Sequence, residues 1–244
     1  MLKAIIINLP RSTDRKLLLQ SKFKDWSNTH FHYSTAVDGK QLGLAYFKEK
    51  HNIHSKILNR DLTEGELGCL YSHKKVWQLV IEEDIEECLI FEDDVDFAIS
   101  EDQFRKYHST APQPFDLIYY GFRGFTSPPP RYRLHLYTWY PIKYLFGFGH
   151  KGIKYHQLWS LYSRPKDDKF DFAGAHHGAH AYMITKDAAY KLIKYSEDNQ
   201  EPVDLLIGMF AIKKDIKAYK SKSQLFWPNT KFLSTIADGA QNRH

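Results

Sequence analysis

Residues 3–9 are an unbroken apolar run rich in isoleucine, the pattern of a strand buried on both faces of a parallel sheet. The polar stretch Arg11-Ser12-Thr13-Asp14-Arg15 follows, and helical spacing then runs from Leu17 to Phe23. Residues 32–39 read as a second short strand closed by an Asp38-Gly39 turn. Thr63 and Glu66 stand at capping-box spacing. Leu67, Leu70, Trp77, Val80 and Ile81 come next at helical period, which predicts a helix from about Glu64 to Glu83. The apolar run Cys88–Phe91 predicts a strand that stops in Glu92-Asp93-Asp94, and after a polar helical segment Leu117–Gly121 predicts another. From about Arg123 to Phe170 the periodicity is lost, with Ser127-Pro128-Pro129-Pro130 halting regular structure. It returns as a strand over Gly178–Thr185, a helix over Lys186–Tyr195 and a helix over Leu205–Lys213 opened by Pro202-Val203-Asp204. A loop-rich tail holds Phe226-Trp227-Pro228 and Ser234-Thr235-Ile236, and there are no internal repeats.

Strands alternating with helical patterns predict an α/β fold: a mainly parallel central sheet with helices on both faces. At 244 residues, the expectation is a single domain over residues 1–244, with residues 123–172 as a long aromatic and basic insertion. No segment approaches the roughly 18–20 apolar residues of a membrane span. The first residues turn polar too soon for a signal peptide, and Cys69 and Cys88 make no disulfide framework. Together these point to a cytoplasmic protein. The net charge of +5 suits an anionic surface or substrate without calling for nucleic acid.

In parallel sheets, ligands bind outside the carboxyl ends of the strands, which is where Glu92-Asp93-Asp94 should sit. Three adjacent carboxylates repel one another unless a cation or hydrogen-bond donors compensate them. Oxygen ligands of this kind suit Mn²⁺ or Mg²⁺, ions that share a substrate phosphate. The alternative is a strand end facing water. Arg11 and Arg15 stand where bidentate donors could meet a phosphate, or else where a helix start is solvated. In the insertion, Arg131, Arg133, Lys143, Lys151 and Lys154 alternate with aromatic residues. That mixture fits a phosphorylated sugar, an anionic membrane or simple packing on the domain.

In order along the chain, several blocks resemble glycosyltransferase family 25, the lipooligosaccharide galactosyl- and glucosyltransferases. They are Ile6-Ile7-Asn8-Leu9 with Arg11 and Arg15, Ala36-Val37-Asp38-Gly39, Leu62 to Cys69 with Ser72-His73, Phe91 to Val95, Gly178 to Thr185, Val203-Asp204 and Ser234-Thr235-Ile236. The resemblance implies a GT-A-like nucleotide-sugar fold, an inverting mechanism and a UDP-sugar donor, commonly UDP-galactose. It casts Asp94 and Asp93 as metal ligands, with His177 completing the set. It places Asn8, Arg11, Arg15, Asp38, His73, Glu92, Asp93, Gly178 and His180 around the donor. Inversion needs a carboxylate base for the acceptor hydroxyl, and Asp204 is the first choice, with Glu64 and Glu201 behind it. A plain N-cap is the competing role for Asp204.

The expected activity is metal-assisted transfer of a hexose, galactose first, from a UDP-sugar to a lipooligosaccharide outer-core sugar. It would take place in the cytoplasm, peripherally at the inner face of the inner membrane. Two alternatives stay open: a metal-dependent hydrolase of phosphate or glycosidic bonds, and a non-catalytic nucleotide-sugar-binding protein.

Overall fold

The computed structural model describes residues 1–123, 129–149, 153–213 and 216–232. Ser127, Pro128, Lys151 and the block Ser234-Thr235-Ile236 lie outside the described residues. The chain opens with β1 (Leu2–Asn8), α1 (Thr13–Lys22), β2 (Thr29–Thr35) and α2 (Gly39–Lys50). The short hairpin β3 (His54–Ser55) and β4 (Arg60–Asp61) precedes the long helix α3 (Glu64–Glu82). Then come β5 (Glu87–Glu92), β6 (Val95–Asp96), α4 (Glu101–His108) and β7 (Leu117–Arg123). Two short helices, α5 (Pro130–Tyr137) and α6 (Trp139–Leu145), and a 3-10 turn (Tyr155–Ser160) follow. The chain continues through β8 (Arg164–Pro165), β9 (Phe170–Phe172), β10 (His177–Thr185), α7 (Lys186–Asp198), α8 (Val203–Ile212), β11 (Ala218–Ser221) and β12 (Trp227–Pro228).

Eight strands form one sheet in the order β2-β1-β5-β10-β7-β11-β9-β8. Among the described residues β2, β1, β5, β7, β11 and β8 point one way, while β10 and β9 run against them. The sheet is thus mostly parallel, as the hydrophobic pattern predicts, with one reversed strand near its centre. Both faces are buried. One carries α3, α7 and α8 over Ile5, Ile90, Tyr119 and Tyr182. The other carries an aromatic cluster of Phe23, Trp26, Phe91, Phe104 and Phe226.

The capping box at Thr63 and Glu66 forms in both directions, at 3.2 and 2.9 Å. Asp38-Gly39 does not close a turn after β2. Asp38 caps α2 by accepting from the Gln41 N–H. That helix escapes the pattern because Gly43, at φ +77°, breaks its period. The insertion is also more regular than its composition implies: Pro130 takes the first turn of α5, where a missing N–H costs nothing.

Two of the sequence blocks meet backbone to backbone. A Cβ on Gly68 would stand 2.7 Å from the Gly39 nitrogen and 2.8 Å from the Val37 carbonyl oxygen. Ser72 seals the contact, accepting from the Val37 N–H at 2.8 Å and donating to the Gly68 carbonyl at 2.6 Å. Gly68→Ala is therefore expected to cost about 1–3 kcal/mol, as overpacking does. That is a fall in Tm of roughly 2–12 °C at this chain length. Thermal unfolding of the variant checks it, and an unmoved Tm would mean the contact is loose.

Candidate active site

Because β10 is reversed, its first residues reach the same sheet edge as the last residues of β5 and β7. A cavity of about 360 Å³ opens at that edge. Of the fourteen candidate residues named from the sequence, all but Asn8, Glu64 and Glu201 line it. Extending the β5–β10 register by one step sets His180 opposite Glu92, and the His180 Nδ1 lies 2.9 Å from Glu92 Oε2 and 3.8 Å from Asp94 Oδ1. Burial alone would lower the His180 imidazole, but the Asp94 and Glu92 carboxylates outweigh it and raise it to about 9. Burial likewise works against the Glu92 carboxylate, and the bonds from His180 and His73 overcome it and hold its pKa below the usual carboxylate range.

His73 reaches Glu92 from α3 and has a fixed tautomer. The Trp77 indole N–H, which can only donate, gives its proton to the Tyr182 hydroxyl at 2.9 Å. The Tyr182 O–H then donates to His73 Nδ1 at 2.8 Å, which leaves the ring proton on Nε2. That atom lies 3.4 Å from Glu92 Oε1, close enough for charge but too long for a strong hydrogen bond. Tyr182 was not singled out in the sequence, although it lies two residues past His180 and so shares its face of the strand.

The three carboxylates at the end of β5 have separate roles. Asp93 is buried and held by Arg15 at 2.8 Å and by the Asn8 side chain at 2.9 Å. Its oxygens are committed to the protein, so Asn8, Arg15 and Asp93 brace the end of β1 against the end of β5. Glu92 and Asp94 instead group with His180, and a ligand atom from each lies within 4.8 Å of the others. Asp94 Oδ1 is buried without a hydrogen-bond partner. This acceptor can serve a cation, so the residues present fit a divalent ion. The set differs from the sequence expectation of Asp94, Asp93 and His177 in two members. A second grouping, Cys69-His73-Glu92, fits less well, because burial and then the Glu92 charge push the Cys69 thiol up. A thiol kept protonated is a poor ligand.

His177 pairs with Asp204 at 3.7 Å. Asp204 lies in the first turn of α8 and accepts from the Gly178 N–H at 3.2 Å and the Leu205 N–H at 2.8 Å. Burial raises its pKa, yet the His177, Gly178 and Leu205 bonds prevail and lower it, so the group is ionised at neutral pH. Gly178 sits at φ +77°, and a Cβ there would meet His180 Nε2 at 2.5 Å. Arg11 pairs with Asp38 on the opposite wall.

Glu64 and Glu201 are corrected as candidate bases. Glu64 accepts from the Leu44 N–H at 3.1 Å, restarting α2 after its break. Glu201 is buried, bonded to the Ser55 hydroxyl and to the Ile57 N–H at 3.1 Å, and ties down the loop between β3 and β4. Both oxygens of Glu201 are engaged, and neither residue lines the cavity. The cavity wall also contains Cys69, Ser72 and Arg123, none of them named as candidates from the sequence. Arg123 could have been found by the rule that exposed Glu92–Asp94, since it ends β7 at the same edge.

The profile of glycosyltransferase family 25 (LPS biosynthesis protein) matches residues 1–207. The chain belongs to glycosyltransferase family 25. Among relatives, it is 37% identical over 102 residues to putative glycosyltransferase R655 of Acanthamoeba polyphaga mimivirus, covering 39% of this chain and 29% of that one. It is 36% identical over 107 residues to human procollagen galactosyltransferase 2, covering 41% and 16%. A rat relative, 35% identical over 98 residues and covering 35% and 17%, is named probable inactive glycosyltransferase 25 family member 3. The matched part of this chain thus spans less than a third of each relative. Among solved structures, apo mouse xyloside xylosyltransferase 1 is similar with a TM-score of 0.41 and 9% identity, over 88% of this chain and 70% of that one. The family assignment does not rest on that likeness.

Proposed function

We propose that this family 25 protein is a GT-A-like inverting glycosyltransferase that moves a hexose, galactose first, from a UDP-sugar to a lipooligosaccharide outer-core sugar. The observation that carries the reading is the single cavity in which the Glu92-Asp94-His180 group faces Asp204 across the start of β10. Glu92 and Asp94 would hold a divalent ion, with His180 joining them as it gives up the proton that the two carboxylates otherwise keep on it; an imidazole among carboxylates suits Mn²⁺. Such an ion, when bound, neutralises the charge that grows on a departing diphosphate.

The chain's own residues account for the rest. Glu92 is held between His180 and His73, so its orientation is set before substrate arrives. The Arg15–Asp93–Asn8 brace fixes the loop carrying Asp94. Asp204, ionised and aimed by two N–H groups, takes the proton from an attacking acceptor hydroxyl. His177 beside it shields that charge until the proton is transferred. The cytoplasmic face of the inner membrane is the setting that suits such an acceptor. No helix among the described residues is long and apolar enough to cross a membrane.

A calorimetric screen of UDP-sugars with and without Mn²⁺, followed by transfer assays on lipooligosaccharide core and procollagen acceptors, tests the reading. The expected result is Mn²⁺-dependent UDP-galactose binding and transfer to the core oligosaccharide. Transfer to procollagen instead would move the acceptor, and sugar release to water alone would favour a hydrolase. UDP-sugar binding without turnover on any acceptor would favour the non-catalytic reading, which the name of the rat relative keeps in view.

A further inference from the structure

From Leu117 to Lys166, fifty consecutive residues, the chain contains no Asp or Glu but eight Lys and Arg, although it has 29 acidic residues in all. The same stretch departs from ordinary burial. Seven of the fifteen exposed large hydrophobic side chains among the described residues fall between 134 and 148. Leu134, Tyr137, Trp139, Leu145, Phe146 and Phe148 are each 60–82% exposed, and α6 buries none of its residues.

This exposure has a direction. On the inner side Leu136 is buried, the Tyr132 hydroxyl donates to the Leu158 carbonyl at 3.2 Å, and the Tyr144 hydroxyl donates to the Ile153 carbonyl at 2.9 Å. The Tyr155 hydroxyl donates to the Leu136 carbonyl as well. The two helices are therefore fastened by one side and present the other. Along α6 and its C-cap, Trp139, Ile142 and Phe146 follow at helical spacing and share a face. A patch this apolar on a soluble surface marks a contact with something else.

We propose that the α5–α6 unit is a docking surface for an anionic lipid bilayer, its apolar face entering the headgroup boundary and its cations meeting lipid phosphates. Charge selects this occupant: Arg131, Arg133 and Lys143 are interleaved with the apolar side chains, and no carboxylate within residues 117–166 offsets them. Two like copies of so cationic a face would repel. Exposed Trp and Tyr are the side chains that settle at a membrane–water interface, and attraction to anionic lipid adds to apolar insertion. Because α5 follows Arg123, which lines the cavity, docking would bring the cavity mouth to the bilayer. That last step rests on the transfer reading; the binding itself does not.

The test is co-sedimentation of the purified chain with vesicles of phosphatidylcholine and phosphatidylglycerol at 7:3, against phosphatidylcholine alone, at low and high salt. The wild type should pellet with the anionic vesicles and release as salt rises. Leu145→Glu with Phe148→Glu should weaken partition by about tenfold or more, and Arg131→Gln with Arg133→Gln and Lys143→Gln should remove the preference for anionic lipid. Both variants should keep wild-type UDP-sugar binding and Tm. Quenching of wild-type tryptophan by brominated lipid chains, diminished in Trp139→Phe, needs no disruptive variant. The proposal is overturned if the wild type stays in the supernatant, or if the Leu145/Phe148 variant binds as the wild type does. It is also overturned if those substitutions instead dissolve a dimer in sedimentation velocity without any vesicle binding.

Discussion

Replacing Asp94 by alanine is expected to lower hexose transfer by about a thousandfold or more, since compensating charge on a leaving diphosphate is worth several kcal/mol. Asp94 is the member of the acidic run with a buried oxygen that no protein donor satisfies. Its nearest cation, the His180 imidazole, lies 3.8 Å away. The folded protein therefore loses little when the carboxylate goes, and Tm should move by no more than a surface change does. A calorimetric Mn²⁺ titration should lose its heat in the same variant, while UDP release measures the rate. If Asp94→Ala turns over like the wild type, the Glu92-Asp94-His180 assignment fails, whatever the donor sugar proves to be.

Asp204→Asn separates chemistry from binding. The amide keeps one of the two acceptor oxygens, enough for the Leu205 N–H in the first turn of α8, while the weaker bond from the Gly178 N–H at 3.2 Å is lost. What it cannot do is carry a negative charge to a hydroxyl proton. The expected loss is about 10²–10⁴ in kcat, with UDP-sugar binding within about threefold of wild type because the donor does not depend on this group. Unchanged turnover would move the base elsewhere, and Glu64 and Glu201 could not take its place from outside the cavity. A loss seen equally in kcat and in donor affinity would mean that Asp204 organises the pocket and does not act on the acceptor.

Much of the framework was legible because long apolar runs leave little choice. Leu89, Ile90 and Phe91 are fully buried, as a strand covered on both faces must be, and the Thr63–Glu66 box marked the start of α3 to the residue. The misses have specific physical causes. β11 reads Ala-Tyr-Lys-Ser, which no hydrophobic pattern announces, and its buried Lys220 is met by Asp171 at 3.0 Å and by the face of the Phe122 ring. Within the site, the sequence supplied the right neighbourhood but could not divide labour among adjacent acids. Asp93 and Asp94 differ in which way the strand end turns them, one towards Arg15 and the other towards His180, and that depends on partners 78 and 86 residues away. The reversal of β10 was the other unseen element, and it is what replaces His177 by His180 beside the acids.

That reversal also decides how the protein tolerates change. The chain leaves the middle of the sheet at Arg123 and returns there at His177, its cross-strand partner, having added β8 and β9 at the far edge in between. The α5–α6 segment is a detour between β7 and β8, two strands of one sheet. Lengthening such a detour costs only about 0.6 kcal/mol per doubling, so it can be rebuilt without displacing the acids or the histidines. Evolution, or an engineer making chimaeras, can exchange the α5–α6 segment much as a tool head is changed on a fixed handle.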